Sequence, residues 1–117
     1  MSSTRHRIDA AEVQARLEAI YERFRESFAA NLSTLDEATR HLETGALDDA
    51  ERLAAESAAH RIAGAAETVG FPEATAPARR LEEAFGRAKV HSAKAGRLLG
   101  DTATLRRILL GKNDRAR

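Results

Sequence analysis

The chain has 117 residues, a net charge of +1 and no cysteine, which limits it to one domain and excludes a disulfide framework, a cysteine nucleophile and a cysteine-ligated zinc or iron–sulfur site. Alanine supplies 25 residues against four Phe and one Tyr, so the core is thin, needs closely approaching backbones and suits packed helices, while the scarcity of Val and Ile argues against a sheet. No apolar run approaches ~20 residues and no signal-peptide core follows Met1, so a cytoplasmic domain that does not span a membrane is expected.

Residues 9–43 carry the clearest periodicity. Val13, Leu17, Ile20, Phe24, Phe28, Leu32, Leu35, Ala38 and Leu42 recur at three- and four-residue steps and form one stripe on one helix face. Asp9 is placed to cap it, with Glu12 completing a capping box and Ile8 stapling onto Val13. Gly45 ends it. About 35 residues make a rod of roughly 50 Å, which needs partners along its length.

A second helix starts at Asp48 with Glu51, the same capping-box pattern, and runs to Val69. Gly70 is placed as a left-handed terminator with Phe71 folding back after it. Its predicted core face is Ala54, Ala58, Ile62, Ala65 and Val69. Pro72 opens a third helix with Ala74, Ala78, Leu81 and Phe85 on one side, and Pro77 requires regular helix to begin near Thr75 or Ala76. The fourth segment, 92–110, repeats Ala95, Leu98, Leu99, Thr102, Leu105 and Leu109. Gly96 and Gly100 weaken it, which predicts a break into two shorter pieces with Asp101 capping the second. Residues 1–8 and the basic 111–117 are expected to be flexible ends. The expected fold is all-α, an antiparallel four-helix bundle over 9–110 with a long first helix.

On a helical wheel with Ile62 at the centre of the core face, His60 lies about 160° away, facing solvent in mid-helix. Leu53, Ser57, Gly64 and Glu67 share its side. A glycine inside an otherwise alanine-rich helix costs about 1 kcal/mol, and one turn beyond His60 it clears space for an approaching molecule.

The run His60-Arg61-Ile62-Ala63-Gly64-Ala65-Ala66-Glu67-Thr68-Val69-Gly70 resembles the signature of histidine-containing phosphotransfer (HPt) domains: His-x-Leu-Lys-Gly, two small residues, then a helix-ending Gly. Ala78-Arg79-Arg80-Leu81-Glu82 is similar to the family's Ala-x-x-Leu-Glu segment on the next helix. The resemblance covers about residues 10–110. It implies a four-helix phosphorelay module of two-component signalling, with His60 as phosphoacceptor and Glu82 as a group that can hydrogen-bond the imidazole. It implies no cofactor in this chain, with Mg²⁺ held by the partner receiver domain. It also implies a receiver domain or hybrid histidine kinase as partner. Ala63 stands where the family has lysine. Arg61, Arg79 and Arg80 are the candidate substitutes for its charge. Ala63 is expected to flank the core, so that a lysine introduced there would reach the phosphoryl oxygens with little effect on folding.

Histidine suits this chemistry because its unperturbed pKa of about 6.5 leaves a neutral, nucleophilic form at pH 7. The chain has no Gly-rich phosphate loop, Walker signature or kinase motif, so no ATP site and no autonomous kinase activity are expected. His6, His41 and His91 lack a second ligand at helical spacing, and no metal site is expected. The docking surface is expected to be Leu53, Ser57, Gly64 and Glu67, on a monomer. Two other readings follow from the same residues. One is an HPt-like adaptor that docks without accepting phosphate. The other is a nucleic-acid-binding bundle that uses the basic half, since residues 60–117 carry 12 Lys/Arg against 6 Asp/Glu; the latter lacks interleaved aromatics and a recognisable binding motif.

Overall fold

In the computed structural model, residues 9–87, 90 and 94–111 are described. They form four α-helices: α1 (Ala10–Thr44), α2 (Asp49–Thr68), α3 (Thr75–Gly86) and α4 (Ala95–Leu110), with a 3₁₀ turn (Pro72–Ala74) leading into α3. Each helix packs on its sequence neighbours and α4 closes the ring on α1, the α2–α3 contact being the most extensive. Cross-helix pairs show an up-down-up-down order. His41 meets Glu51 and Asn31 meets Arg61 between α1 and α2. Arg52 meets the Phe85 carbonyl between α2 and α3. Arg25 meets the Leu110 carbonyl between α1 and α4.

The helix ends obey local chemistry. The Asp9 carboxylate accepts from the Ala11 amide at 3.1 Å and Asp48 from the Glu51 amide at 2.8 Å. Among the described residues neither glutamate makes the return half of its capping box. Glu12 pairs with Arg16, and Glu51 is held by His41. Ile8 lies outside the described residues. Gly45 (φ 79°) and Gly70 (φ 91°) adopt the left-handed conformation. The Ala46 amide then reaches the His41 carbonyl at 2.7 Å and the Phe71 amide reaches that of Ala66 at 2.8 Å, the reversed bond that satisfies orphan carbonyls. Pro77 falls within the first turn of α3, where its missing N–H has no intrahelical partner to lose.

The core comprises Phe28, Leu32, Leu35, Ala38 and Leu42 of α1, the Ala-rich face of α2, Ala78, Leu81 and Phe85 of α3, and Leu98, Leu105 and Leu109 of α4. Three expectations need correction. First, α4 is one unbroken helix. Asp101 sits inside it and pairs with Arg80 of α3 at 2.9 Å instead of capping a second piece. Second, α2 buries Ala55, Ala58, Ala59, Ile62, Ala63 and Ala66, while Ala54 is exposed and Ala65 and Val69 are only partly covered. The helix is wedged between α1 and α3, so its buried arc is broader and rotated from the predicted one. Third, the α1 stripe enters the core only from Phe28 onward. Val13, Leu17 and Ile20 stay 37–44 % exposed, because a 35-residue helix outruns a 20-residue neighbour by about four turns.

Candidate functional site

His60 projects from the middle of α2, with its side chain 66 % exposed. The small residues buried on α2 and α3, among them Ala59, Ala63, Ala78 and Ala84, let these two helices approach closely. That approach brings Glu82 of α3 to His60: Nδ1 lies 2.8 Å from the Glu82 Oε2. The other carboxylate oxygen accepts from Arg79 Nη1 at 3.1 Å, one turn back on α3. The result is a three-residue chain, Arg79–Glu82–His60, in which only the carboxylate is substantially buried.

Partial burial works against ionisation of Glu82. The hydrogen bonds from His60 and Arg79, together with their charges, outweigh it and hold the carboxyl below the usual carboxylate range. An ionised carboxylate can only accept. The proton of a neutral His60 therefore belongs on Nδ1, and the lone pair is left on Nε2, away from Glu82. Glu56, Ser57 and Arg61 complete an open depression around the imidazole. Glu56 has no signal in the sequence, since nothing in its local pattern marks it.

The other predicted site residues divide. Leu53, Ser57, Gly64 and Glu67 are all exposed on the His60 side of α2. An added Cβ at Gly64 would meet nothing within 4 Å, so the glycine leaves open space beside the imidazole and is not demanded by packing. Arg79 joins the site through Glu82. Arg61 turns to Asn31 of α1, with Nη2 3.3 Å from its Oδ1, although it still borders the depression. Arg80 faces the other way and is engaged by Asp101, which raises its pKa through a side-chain hydrogen bond and the carboxylate charge. It is not part of this site. Ala63 is fully buried, which corrects the expectation that it flanks the core. His41 is committed to Glu51 at 2.7 Å, and His6 and His91 lie outside the described residues. No group of three or more potential metal ligands occurs among the described residues, and no helix among them is long and apolar enough to cross a membrane.

A family model for the Hpt domain matches residues 9–109. The chain belongs to the Hpt domain family. Neither the curated proteins nor the solved structures give a match. An Hpt domain is a phosphotransfer module of two-component phosphorelays that works with receiver domains and histidine kinases. In this Hpt domain, the four helices that the family implies are those that bring Glu82 to His60.

Proposed function

We propose that this Hpt domain relays a phosphoryl group on Nε2 of His60, exchanging it with the aspartate of a receiver domain. The carrying observation is the 2.8 Å contact between His60 Nδ1 and Glu82. In the forward step the Nε2 lone pair attacks the phosphorus of the receiver's aspartyl phosphate. The P–N bond forms as the P–O bond to the aspartate breaks, and the aspartate leaves as a carboxylate. No proton has to leave the imidazole during transfer. The Nδ1 proton stays in the hydrogen bond to Glu82, whose negative charge balances the imidazolium as it forms. Arg79 keeps Glu82 ionised and in place. The return step runs the same atoms backwards.

Nothing in this proposal asks the chain for Mg²⁺ or a nucleotide; the metal and the acidic pocket are assigned to the receiver. Leu53, Ser57, Gly64 and Glu67 are assigned to docking, with the exposed Leu53 as the apolar contact and the rest as a small, polar surround. The fixed tautomer favours this reading over an adaptor that docks without accepting phosphate, since docking alone has no use for a carboxylate behind the imidazole.

The test is incubation with a receiver domain carrying labelled phosphate. Wild type takes up label that is lost in acid and kept in alkali. H60Q folds, binds and takes up none. Label on His41 in H60Q, or binding of wild type without label, overturns the assignment.

A further inference from the structure

We propose that two copies of this chain associate through the N-terminal halves of α1, packed antiparallel, with Leu17 and Ile20 of each facing Ile20 and Leu17 of the other. The starting point is the part of the stripe that the bundle leaves uncovered. Val13, Leu17, Ile20 and Tyr21 are 37–51 % exposed on consecutive turns, and Phe24, partly buried against Phe28, ends the run. Together they leave on the order of 300 Å² of apolar side chain in one strip, as much as the largest patch on an ordinary monomer.

The spacing says what fits there. Val13, Leu17, Ile20 and Phe24 alternate steps of four and three, the register in which one helix receives another along a narrow seam. The residues at either end of the helices offer little apolar side chain to match it. Residues 1–8 offer only Met1 and Ile8 as large apolar side chains, and 112–117 read Lys-Asn-Asp-Arg-Ala-Arg. An anionic lipid surface does not suit it either, because residues 9–26 carry five carboxylates against three arginines.

Direction follows from sterics. Phe28, Leu32 and Leu35 continue the same face of α1 and are covered by the rest of the bundle. A parallel partner would bring its own bundle to the same level and the two would collide. An antiparallel partner lays its uncovered half on this one and places the bundles at opposite ends. Pairing two strips removes roughly 600 Å² of apolar surface. With the polar rim this comes to about 1,000 Å², the lower limit for a specific interface. The dimer is therefore weak, with dissociation in the micromolar range or above, and replaces the monomer expected from the sequence.

The test is the mass of the full chain by sedimentation equilibrium, from about 5 μM to about 1 mM, a range that brackets such a constant. The expected result is a concentration-dependent rise toward twice 12.7 kDa. L17E and I20E place two carboxylates in the seam by symmetry and should weaken association at least about tenfold. They should leave the thermal transition unchanged, because neither residue belongs to the bundle core. The chain has no cysteine, so cross-linking reports direction cleanly. V13C mixed with F24C should form the mixed disulfide, and V13C alone should not link to itself, because antiparallel packing separates the two copies of position 13 by about 16 Å along the axis. A monomer mass throughout the range, or self-linking of V13C, overturns the proposal. Phosphotransfer measured on the same L17E sample stays at the wild-type level, which separates this interface from the His60 site.

Discussion

Ala63 gives the sharpest test of how α2 is seated. Its side chain has no exposed surface, yet it lies three residues after His60, where the HPt signature has lysine. Replacing it with lysine adds a four-carbon stem to a position already in contact on all sides. The ammonium can be carried outward along the stem, so the charge itself need not be buried. The cost is then set by the stem, and inserting methylenes into a filled site costs about 1–3 kcal/mol. In a domain of this size each kcal/mol moves Tm by about 4–8 °C, so A63K should melt roughly 4–20 °C below wild type. A63M, with similar bulk and no charge, should lose a comparable amount, whereas a cost due to charge would spare it. Thermal denaturation followed by circular dichroism measures both, and decay of labelled phosphohistidine is read on the same samples. A lengthened phosphohistidine lifetime in A63K is compatible with this reasoning only if it accompanies the loss of stability. An A63K protein that melts with wild type would refute the packing of α2 described above.

Three further outcomes follow from the His60 site. Nitrogen NMR of the neutral imidazole should show the proton on Nδ1 in wild type and a mixture in E82A, with transfer slowed about fivefold. A charge-assisted hydrogen bond at a half-exposed site is worth about 1 kcal/mol after solvent screening, and a wild type protonated on Nε2 would contradict the mechanism. Because the Glu82 pKa is lowered on folding, the stability it contributes is fully present above the usual carboxylate value of about 4.3 and is lost as pH falls through the lowered one. The advantage of wild type over E82A in urea titrations should therefore vanish in acid, and an advantage that persists there would assign it to packing. G64A should be more stable than wild type by up to about 1 kcal/mol, and G64Q should fold but transfer slowly; equal transfer rates in G64Q and wild type would show that the space beside His60 is not used for approach.

The helix punctuation was legible because it depends on single residues with distinct local chemistry. Asp9 and Asp48 cap as their side chains dictate, and Gly45 and Gly70 take the left-handed conformation that few other residues tolerate. The helical wheel puts His60 on the solvent side, where the structure has it, even though it draws the core face of α2 too narrow. The misplacement has a definite origin. Ala54, Ala55, Ala58, Ala59, Ala63, Ala65 and Ala66 are spread around the helix, and a methyl group is equally at home in a core or on a surface. A wheel centred on Ile62 takes Ala65 and Val69 into the core face with it. Ile62 is buried, but Val69 is the residue that caps the end of the helix and is only partly covered. With α1 on one side and α3 on the other, the helix buries the methyls that both neighbours can approach, and Ala63 is among them.

The site itself was only half written in the sequence. His60 and Gly64 lie on one helix, so their relation follows from helical geometry. Glu82 and Arg79 lie on another, and their meeting with His60 depends on how far α3 slides along α2. That register is fixed by contacts such as Arg52 with the Phe85 carbonyl, at 2.7 Å between the start of α2 and the end of α3, for which no periodicity within one helix gives a signal. The same limit explains Arg80, adjacent to Arg79 in sequence. One residue along a helix turns the side chain by about 100°, enough to send Arg79 to Glu82 beside the imidazole and Arg80 to Asp101 on α4. Positive charge near His60 is therefore supplied by Arg79 and, at the edge of the depression, by Arg61. Arg79 is already bound to Glu82, and Arg61 is tethered to Asn31 by contacts no shorter than 3.3 Å. Of the two, the guanidinium of Arg61 has less to give up in turning toward an incoming phosphoryl group.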